Sequence, residues 1–465
     1  MGRLPSLVAK WSGTIDDNGQ IARYEIIATR DGQYRRTYIL PITQLADGSN
    51  LAEDWTQDEN GNVRITPAEH HEPMDSRLVR LNDLRFDLAG ARVNGIVTVN
   101  GRKAYAVGIT MQGGSAVVYF DVETALLDGA DLGLATVRYR TYGYFDGVAV
   151  PTDIVETAPN ESLNITVDDV TFLRRARGEF DPPAQRRPAF PHGSAEVSLS
   201  FDSPEGLIVC PVLIDGHPAR FILDTGSTTS LIDSDAAKRL NLPTGGVAHV
   251  QGAGLLTGTV ARIDTLSIGG VVFTPFFVQA VPLQLPGRIA HSGIDGVLGF
   301  DLFCDLVARI DYPRFNLRLI DPRAFTYAGT GAVLSIDTSK RVPELTTTLG
   351  EKDSGTFTVD TGSSATLVLY PDFADTHRTD FENPYESNSN FASGAGGDMP
   401  TRLYLITRLK LGKFDISNVP TEVLLREQGA FGGQASSDGL IGSGALEKFD
   451  AVFFDYANNR MILEQ

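Results

Sequence analysis

The sequence predicts a mainly β protein: an antiparallel β domain in residues 1–175, then two similar β lobes in residues 194–465. Three observations carry that expectation. Apolar and polar residues alternate over short runs separated by turn pairs such as Asn100-Gly101 and Asp146-Gly147, the pattern of strands with one buried face. The octapeptide Phe221-Ile222-Leu223-Asp224-Thr225-Gly226-Ser227-Thr228 returns 136 residues later as Phe357-Thr358-Val359-Asp360-Thr361-Gly362-Ser363-Ser364. Each copy is followed by an apolar pair ending on glycine, Gly296-Val297-Leu298-Gly299 and Gly439-Leu440-Ile441-Gly442. A unit written twice in one chain is the mark of an internal structural repeat.

A chain of 465 residues exceeds what one hydrophobic core usually supports, so two or three domains are expected. A composition of 42% hydrophobic and 21% charged residues is that of an ordinary globular protein. The formal charge of −18 argues against a nucleic-acid partner, which needs a basic face. No run of 18 apolar residues occurs, so no membrane-spanning helix is expected. The first residues, Met1-Gly2-Arg3-Leu4-Pro5, lack the basic and apolar regions of a secretory signal. Cys210 and Cys304 are the only cysteines, which excludes a disulfide framework and a thiolate zinc cluster. Both lie in apolar settings and read as buried free thiols, with one disulfide as the open alternative.

In the first domain, alternation runs through residues 22–30, 34–40, 96–99, 104–109, 116–120, 136–142 and 163–172. Asp31-Gly32, Asn60-Gly61 and Gly113-Gly114 supply further turns. Leu78, Leu81, Leu84 and Leu88 have helical spacing and predict a helix over 69–88 lying on the sheet. Tyr119-Phe120-Asp121-Val122-Glu123-Thr124-Ala125-Leu126-Leu127 and the segment 142–151 resemble the strand-turn-strand signatures of bacterial lipoprotein-carrier-like domains. That resemblance implies an incompletely closed antiparallel barrel, a lipid or acyl-chain cargo, and a bacterial periplasmic or envelope location. An unrelated antiparallel sheet is the plainer alternative.

Between Arg174 and His192 the pattern breaks. Arg174, Arg175, Arg177, Arg186 and Arg187 alternate with Pro182, Pro183, Pro188 and Pro191, a composition that cannot build a core and is stiffened by its prolines. Residues 176–193 are therefore expected to be a linker, followed by lobe 1 (194–326) and lobe 2 (327–465).

Lobe 1 begins with strand-like runs at 195–201 and 207–214. After the first Asp-Thr-Gly-Ser, Asp233 or Ser234 can cap a short helix over 235–240. Gly252-Ala253-Gly254 then reads as a glycine-rich hairpin tip, with Ser393-Gly394-Ala395-Gly396 as its counterpart in lobe 2. Strand-like segments follow both, at 260–268 and 402–411, where a phosphate-binding loop would need a helix. Short helices are expected at 301–306 and 444–449. Each leads into a hairpin, 307–320 and 451–463.

Paired carboxyls suit hydrolysis. Splitting a peptide bond needs a base for water and an acid for the leaving nitrogen. Two carboxyls at hydrogen-bonding distance cannot both ionise, so they share one proton and supply both functions. Neither lobe alone holds two such carboxyls; Asp224 and Asp360 together do. Gly226 and Gly362 let each loop turn tightly.

These motifs resemble the pepsin and retroviral-protease family of aspartic peptidases, over residues 194–465. Each half is close in length to a retroviral subunit, and neither tip carries the pepsin flap tyrosine. A fused pair of retropepsin-like lobes is therefore the better likeness. The resemblance implies an aspartic endopeptidase without cofactor or metal, acting on a peptide or protein as a monomer with an internal pseudo-twofold. It makes Asp224 and Asp360 catalytic, with Thr225 and Thr361 hydrogen-bonding across the lobes and Ser227 and Ser363 orienting carboxylate oxygens. Gly252, Ala253, Gly254, Ser393, Gly394, Ala395 and Gly396 become flap residues over the substrate. A catalytically silent peptide-binding pseudoprotease and a lipid carrier with accessory lobes are the rival readings. Other chemistries find little footing: His70-His71 would point to opposite faces of a strand, and no Gly-x-Ser-x-Gly or His-Glu-x-x-His occurs. Asp295, Asp301 and Asp438 read as turn and cap residues.

Overall fold

The computed structural model describes residues 8–17, 20–29, 33–67, 90–111, 114–133, 135–158, 161–173, 179–285, 289, 292–377, 381–382, 390–394, 397–426, 429 and 437–465. The chain divides into two compact units, Met1–Gln185 and Arg186–Gln465.

The first unit is one antiparallel sheet of thirteen described strands. Six run in sequence from Val8–Asp17 to Val63–Pro67, and seven from Arg92–Val99 to Glu161–Leu173. The first strand of one set pairs with the last of the other, from Val8 opposite Leu173 to Asp17 opposite Leu163. Val63–Pro67 and Arg92–Val99 end the sheet. Two of the predicted turns are two-residue hairpins: Asn100 and Gly101, and Asp146 and Gly147, all have positive φ, matching the twist of the strands they join. Asn60-Gly61 instead lies in the longer loop between Gln57 and Val63, with only Gly61 at positive φ. One face buries Trp11, Tyr24, Ile26, Tyr139, Ile154 and Ile165 together. The helix expected over 69–88 lies outside the described residues, as do Asp31, Gly32 and Gly113.

The predicted linker is partly tied down. Trp55 Nε1 donates to Phe180 O at 2.8 Å in the first unit. In the second, Ala189 exchanges backbone hydrogen bonds with Val272.

The second unit holds three sheets of nine, eight and six described strands. The nine-stranded sheet is built from 209–298 and the eight-stranded one from 344–442. Glu196–Ser200, Asn316–Ile320 and Val307–Asp311 lie on one side of the six-stranded sheet. Ala451–Asp455, Arg460–Glu464 and Ala332–Ser335 lie on the other. The two predicted hairpins thus meet at its centre, with Val307 opposite Asp455 and Ile310 opposite Val452. This shared sheet gives both lobes one continuous core, in which Phe221, Leu298 and Leu317 join Phe357, Ile441 and Phe454. Asp233 caps the helix Ser234–Arg239, its carboxylate accepting from Asp235 N at 2.9 Å and Ala236 N at 3.4 Å. Neither Cys210 nor Cys304 forms a disulfide; Cys210 is fully buried and Cys304 half-buried.

Candidate active site

Each Asp-Thr-Gly-Ser loop leaves the end of a strand and is held by its own lobe's apolar-Gly stretch. In lobe 1, Phe221-Ile222-Leu223 pairs in parallel with Gly296-Val297-Leu298, and Asp224 N–H donates to Leu298 O at 2.9 Å. In lobe 2, Phe357 to Asp360 pairs the same way with Gly439 to Gly442. A third strand, Leu231–Asp233 or Leu367–Leu369, closes the other side antiparallel. The stretch therefore runs between the two arms of the loop. A Cβ on Gly299 would lie 2.6 Å from Ser227 O, and one on Gly442 2.3 Å from Ala365 O, so no side chain fits at either place.

The two loops then meet. Thr225 N–H donates to Thr361 Oγ1 at 3.0 Å, and Thr361 N–H to Thr225 Oγ1 at 3.0 Å. Each hydroxyl passes its own proton across, Thr225 Oγ1 to Val359 O and Thr361 Oγ1 to Leu223 O, both at 2.7 Å. Both threonines are fully buried, so every polar group in this exchange has its partner. A Cβ on Gly226 would lie 2.5 Å from Asp360 Cγ, and one on Gly362 2.3 Å from Asp224 Cγ. Each carboxyl therefore rests on the other loop's glycine, within hydrogen-bonding reach of the other carboxyl.

Electrostatics follow from that approach. Burial pushes both carboxyls above the usual carboxylate range. At Asp224 the charge of Asp360 and the hydrogen bond to it raise the pKa further. At Asp360 the bond from Asp224 works the other way. Backbone donors temper both: Gly226 N–H reaches Asp224 Oδ1 at 2.8 Å and Gly362 N–H reaches Asp360 Oδ1 at 2.8 Å, favouring the charged forms. The two carboxyls therefore titrate as a unit, which keeps a proton to higher pH than free carboxyls would.

The Ser227 hydroxyl is placed differently from the expectation. It donates to Thr229 O at 2.7 Å, inside its own loop. The backbone N–H groups of Ser227 and Ser363 favour the charged carboxylates too, after those of Gly226 and Gly362.

Three acids read as turn and cap residues have larger roles. Asp295 accepts from Arg220 N at 3.0 Å and Asp438 from Thr356 N at 2.8 Å, repeat-related clamps on the strands that lead to the two loops. Asp301 is fully buried; its carboxylate accepts from Ser230 N and Arg341, both at 2.6 Å. Arg341 Nε also donates to Thr228 O at 2.8 Å. The sequence offered no signal for this pairing, since Arg341 lies in the other copy of the repeat.

Gly252, Ala253 and Gly254 form the tip of a hairpin between Thr244–Gln251 and Leu255–Ile263. Ala253 is buried against lobe 2, among Val368, Tyr370, Met399, Leu424 and Leu440. Ser393 and Gly394 end the strand Asn390–Gly394; Ala395 and Gly396 lie outside the described residues, as do His70 and His71. Among the described residues no cluster of His, Cys, Asp or Glu has metal-holding geometry.

The family model described as aspartyl protease matches residues 210–302 and 345–445. Both copies of the repeat match the aspartyl protease family. Each matched segment contains one Asp-Thr-Gly-Ser loop and its apolar-Gly stretch, so the aspartyl protease match takes in both carboxyls described above. No curated protein matched the chain. Solved structures similar to the N-terminal region include a LolA superfamily protein from Nitrosomonas europaea, at 13% identity and a TM-score of 0.32, covering 38% of this chain and 92% of that one. A DUF1329 family protein from Desulfovibrio piger is also similar, at 13% identity and a TM-score of 0.30, covering 38% of this chain and 91% of that one. No helix among the described residues is long and apolar enough to cross a membrane.

Proposed function

We propose that residues 186–465 are an aspartic endopeptidase whose two catalytic groups, Asp224 and Asp360, come one from each lobe. The observation that carries this reading is the mutual seating of the carboxyls, each on the other loop's glycine and both raised in pKa by burial. A water held between them loses its proton to the ionised carboxyl as its oxygen attacks the peptide carbonyl carbon. The carboxyl that is protonated gives its proton to the carbonyl oxygen. As the tetrahedral species collapses, a proton passes to the nitrogen and the C–N bond breaks. Thr225 and Thr361 hold the loops in register, the Gly226 and Gly362 N–H groups orient the carboxylates, and the hairpin tipped by Ala253 covers the site. No step calls for a metal or cofactor.

The chain supplies both carboxyls, so a monomer with an internal pseudo-twofold suffices, and its substrate is a peptide or protein. We place it in a bacterial envelope on the sequence likeness of segments 119–127 and 142–151 to lipoprotein-carrier-like domains. The test is incubation with a proteome-derived peptide library from pH 3 to 8, a range bracketing the titration of shifted carboxyls. Cleavage that a pepstatin-type inhibitor blocks, and that Asp224→Asn and Asp360→Asn each abolish, is expected. Substantial turnover by either purified single variant would sink the dyad.

A further inference from the structure

Cross-strand partners share a face of a sheet, and the register shows what lies on the face that carries the dyad. In lobe 1, Ile222 stands opposite Val297, Val297 opposite Leu231, and Leu231 opposite Gln279. In lobe 2 the same walk runs Thr358, Leu440, Val368 and Glu422. Asp224 and Asp360 follow Ile222 and Thr358 by two residues, so their carboxyls project from this same face. The clusters agree with the register. Ile222, Val297 and Leu231 pack with the hairpin residue Leu256, and Leu440 and Val368 pack with the hairpin tip Ala253.

Gln279 and Glu422 therefore occupy one position of the repeat. Each has a buried oxygen with no partner, Gln279 Oε1 and Glu422 Oε2. Orphaned buried oxygens are rare and costly, and two at equivalent positions on the dyad's face point to a ligand that satisfies them. Charge separates the two. Four fully buried acids have a cation beside them: Asp47 has Arg36, Asp301 has Arg341, Glu344 has Lys340 and Asp455 has Arg460. Glu422 has none among the described residues. Burial opposes its charge, and the neighbouring Thr401 hydroxyl, which has no other partner among the described residues, is close enough to favour it but supplies one proton and no positive charge.

Resting on the peptidase reading, we propose that Glu422 is a specificity-determining residue that receives the basic side chain, Lys or Arg, of a peptide substrate, while Gln279 takes a neutral polar one. Glu422 lies three strand spacings from the strand of Asp360, about 14 Å at 4.7–4.9 Å per strand. A lysine two to three residues from the scissile bond spans that distance with its own side chain. A carboxylate without a protein cation then gains a charge-assisted hydrogen bond on binding.

The test uses the full chain and two peptide sets that differ by Lys or norleucine at each position two to four residues from the scissile bond. At one position the wild type is expected to favour Lys by about tenfold or more in kcat/KM. That ratio should fall to about one in Glu422→Gln, and Gln279→Glu should add a second basic preference on the other side of the bond. A wild type indifferent to Lys at every position, or a Glu422→Gln variant that keeps the ratio, overturns the proposal. If no peptide is cleaved, the peptidase reading fails separately, and binding of labelled Lys and norleucine peptides to Asp224→Asn decides the question. Tighter Lys binding that the added Glu422→Gln removes supports the site; equal binding overturns it.

Discussion

Arg341, in the second copy of the repeat, donates to the buried carboxylate of Asp301 in the first at 2.6 Å. Asp301 in turn accepts from Ser230 N at 2.6 Å, and Arg341 also grips Thr228 O. The pair thus fixes the far arm of the Asp224 loop from the opposite lobe, and the guanidinium lies 4.4 Å over the Phe300 ring. Among the described residues lobe 2 has no such clamp, because Gly444 stands two residues after Gly442 where lobe 1 has Asp301.

Removing one partner should show this asymmetry. Arg341→Met leaves Asp301 charged and buried, a loss of roughly 3–5 kcal/mol for a broken buried pair. Urea unfolding of the isolated variants should register it. Hydrogen exchange should rise at Ser230 in the Asp224 loop more than at the equivalent turn after Asp360. Equal change in both loops would mean that Arg341 stabilises the fold without positioning the site.

The threonine exchange makes a second expectation. Thr225→Val removes the acceptor of Thr361 N–H and the donor to Val359 O at a fully buried place. Two orphaned backbone groups cost roughly 1–3 kcal/mol each. Thr361→Val should cost the same by the mirrored bonds, and the double variant less than the sum, since both singles break one network. Thr225→Ser keeps the oxygen and should restore most of the stability. Additive losses in a thermal denaturation series would contradict a shared network.

The dyad also couples pH to stability. A carboxyl whose folded pKa is raised binds a proton that the unfolded chain has already released. Its contribution is therefore fully present below the unfolded value, about 3.9 for Asp, and is lost as pH rises through the folded value. Asp224, raised by burial and then by Asp360, should make the wild type progressively less stable from about pH 4 upward. Asp224→Asn removes that dependence while its amide oxygen can still accept from Gly226 N–H. Its melting temperature should pull ahead of the wild type as pH rises. A difference that is constant from pH 4 to 8 would show that Asp224 titrates normally.

These outcomes also mark what could be read from the residues alone. Asp224, Asp360 and their glycine stretches stood out because the chain repeats them, and local turn chemistry at Asn100-Gly101 and Asp146-Gly147 named its hairpins directly. Gln279 and Glu422 did not stand out. Their position on the dyad's face depends on parallel pairing of Leu231 with Gln279 and Val368 with Glu422, contacts between strands about fifty residues apart whose register no local pattern sets. The shared central sheet was hidden for the same reason. Each of its two hairpins was visible, but the pairing of Val307–Asp311 with Ala451–Asp455 joins opposite ends of the repeat.

The last expectation concerns the division of the chain. The chain divides into compact units 1–185 and 186–465, and the residues around the boundary are held on their own sides. Asn50 Nδ2 donates to Asp181 Oδ1 at 3.2 Å and Trp55 to Phe180 O in the first unit. Arg186 donates to Pro275 O at 3.3 Å and Ala189 pairs with Val272 in the second. Trypsin meets Arg174, Arg175, Arg177, Arg186 and Arg187 in this stretch. Limited digestion should release a fragment that begins near Gly178 or Arg187, since trypsin does not cut the Arg187-Pro188 bond, and carries both Asp-Thr-Gly loops. No group assigned to the chemistry lies before Asp224, and the lobes share one core through the central sheet. The fragment should therefore keep a cooperative melt and cleave small peptides at the rate of the full chain, even if a protein substrate needs the first unit for docking. A fragment from residue 187 that is folded yet inert toward every peptide the full chain cuts would make the N-terminal sheet part of the catalytic unit.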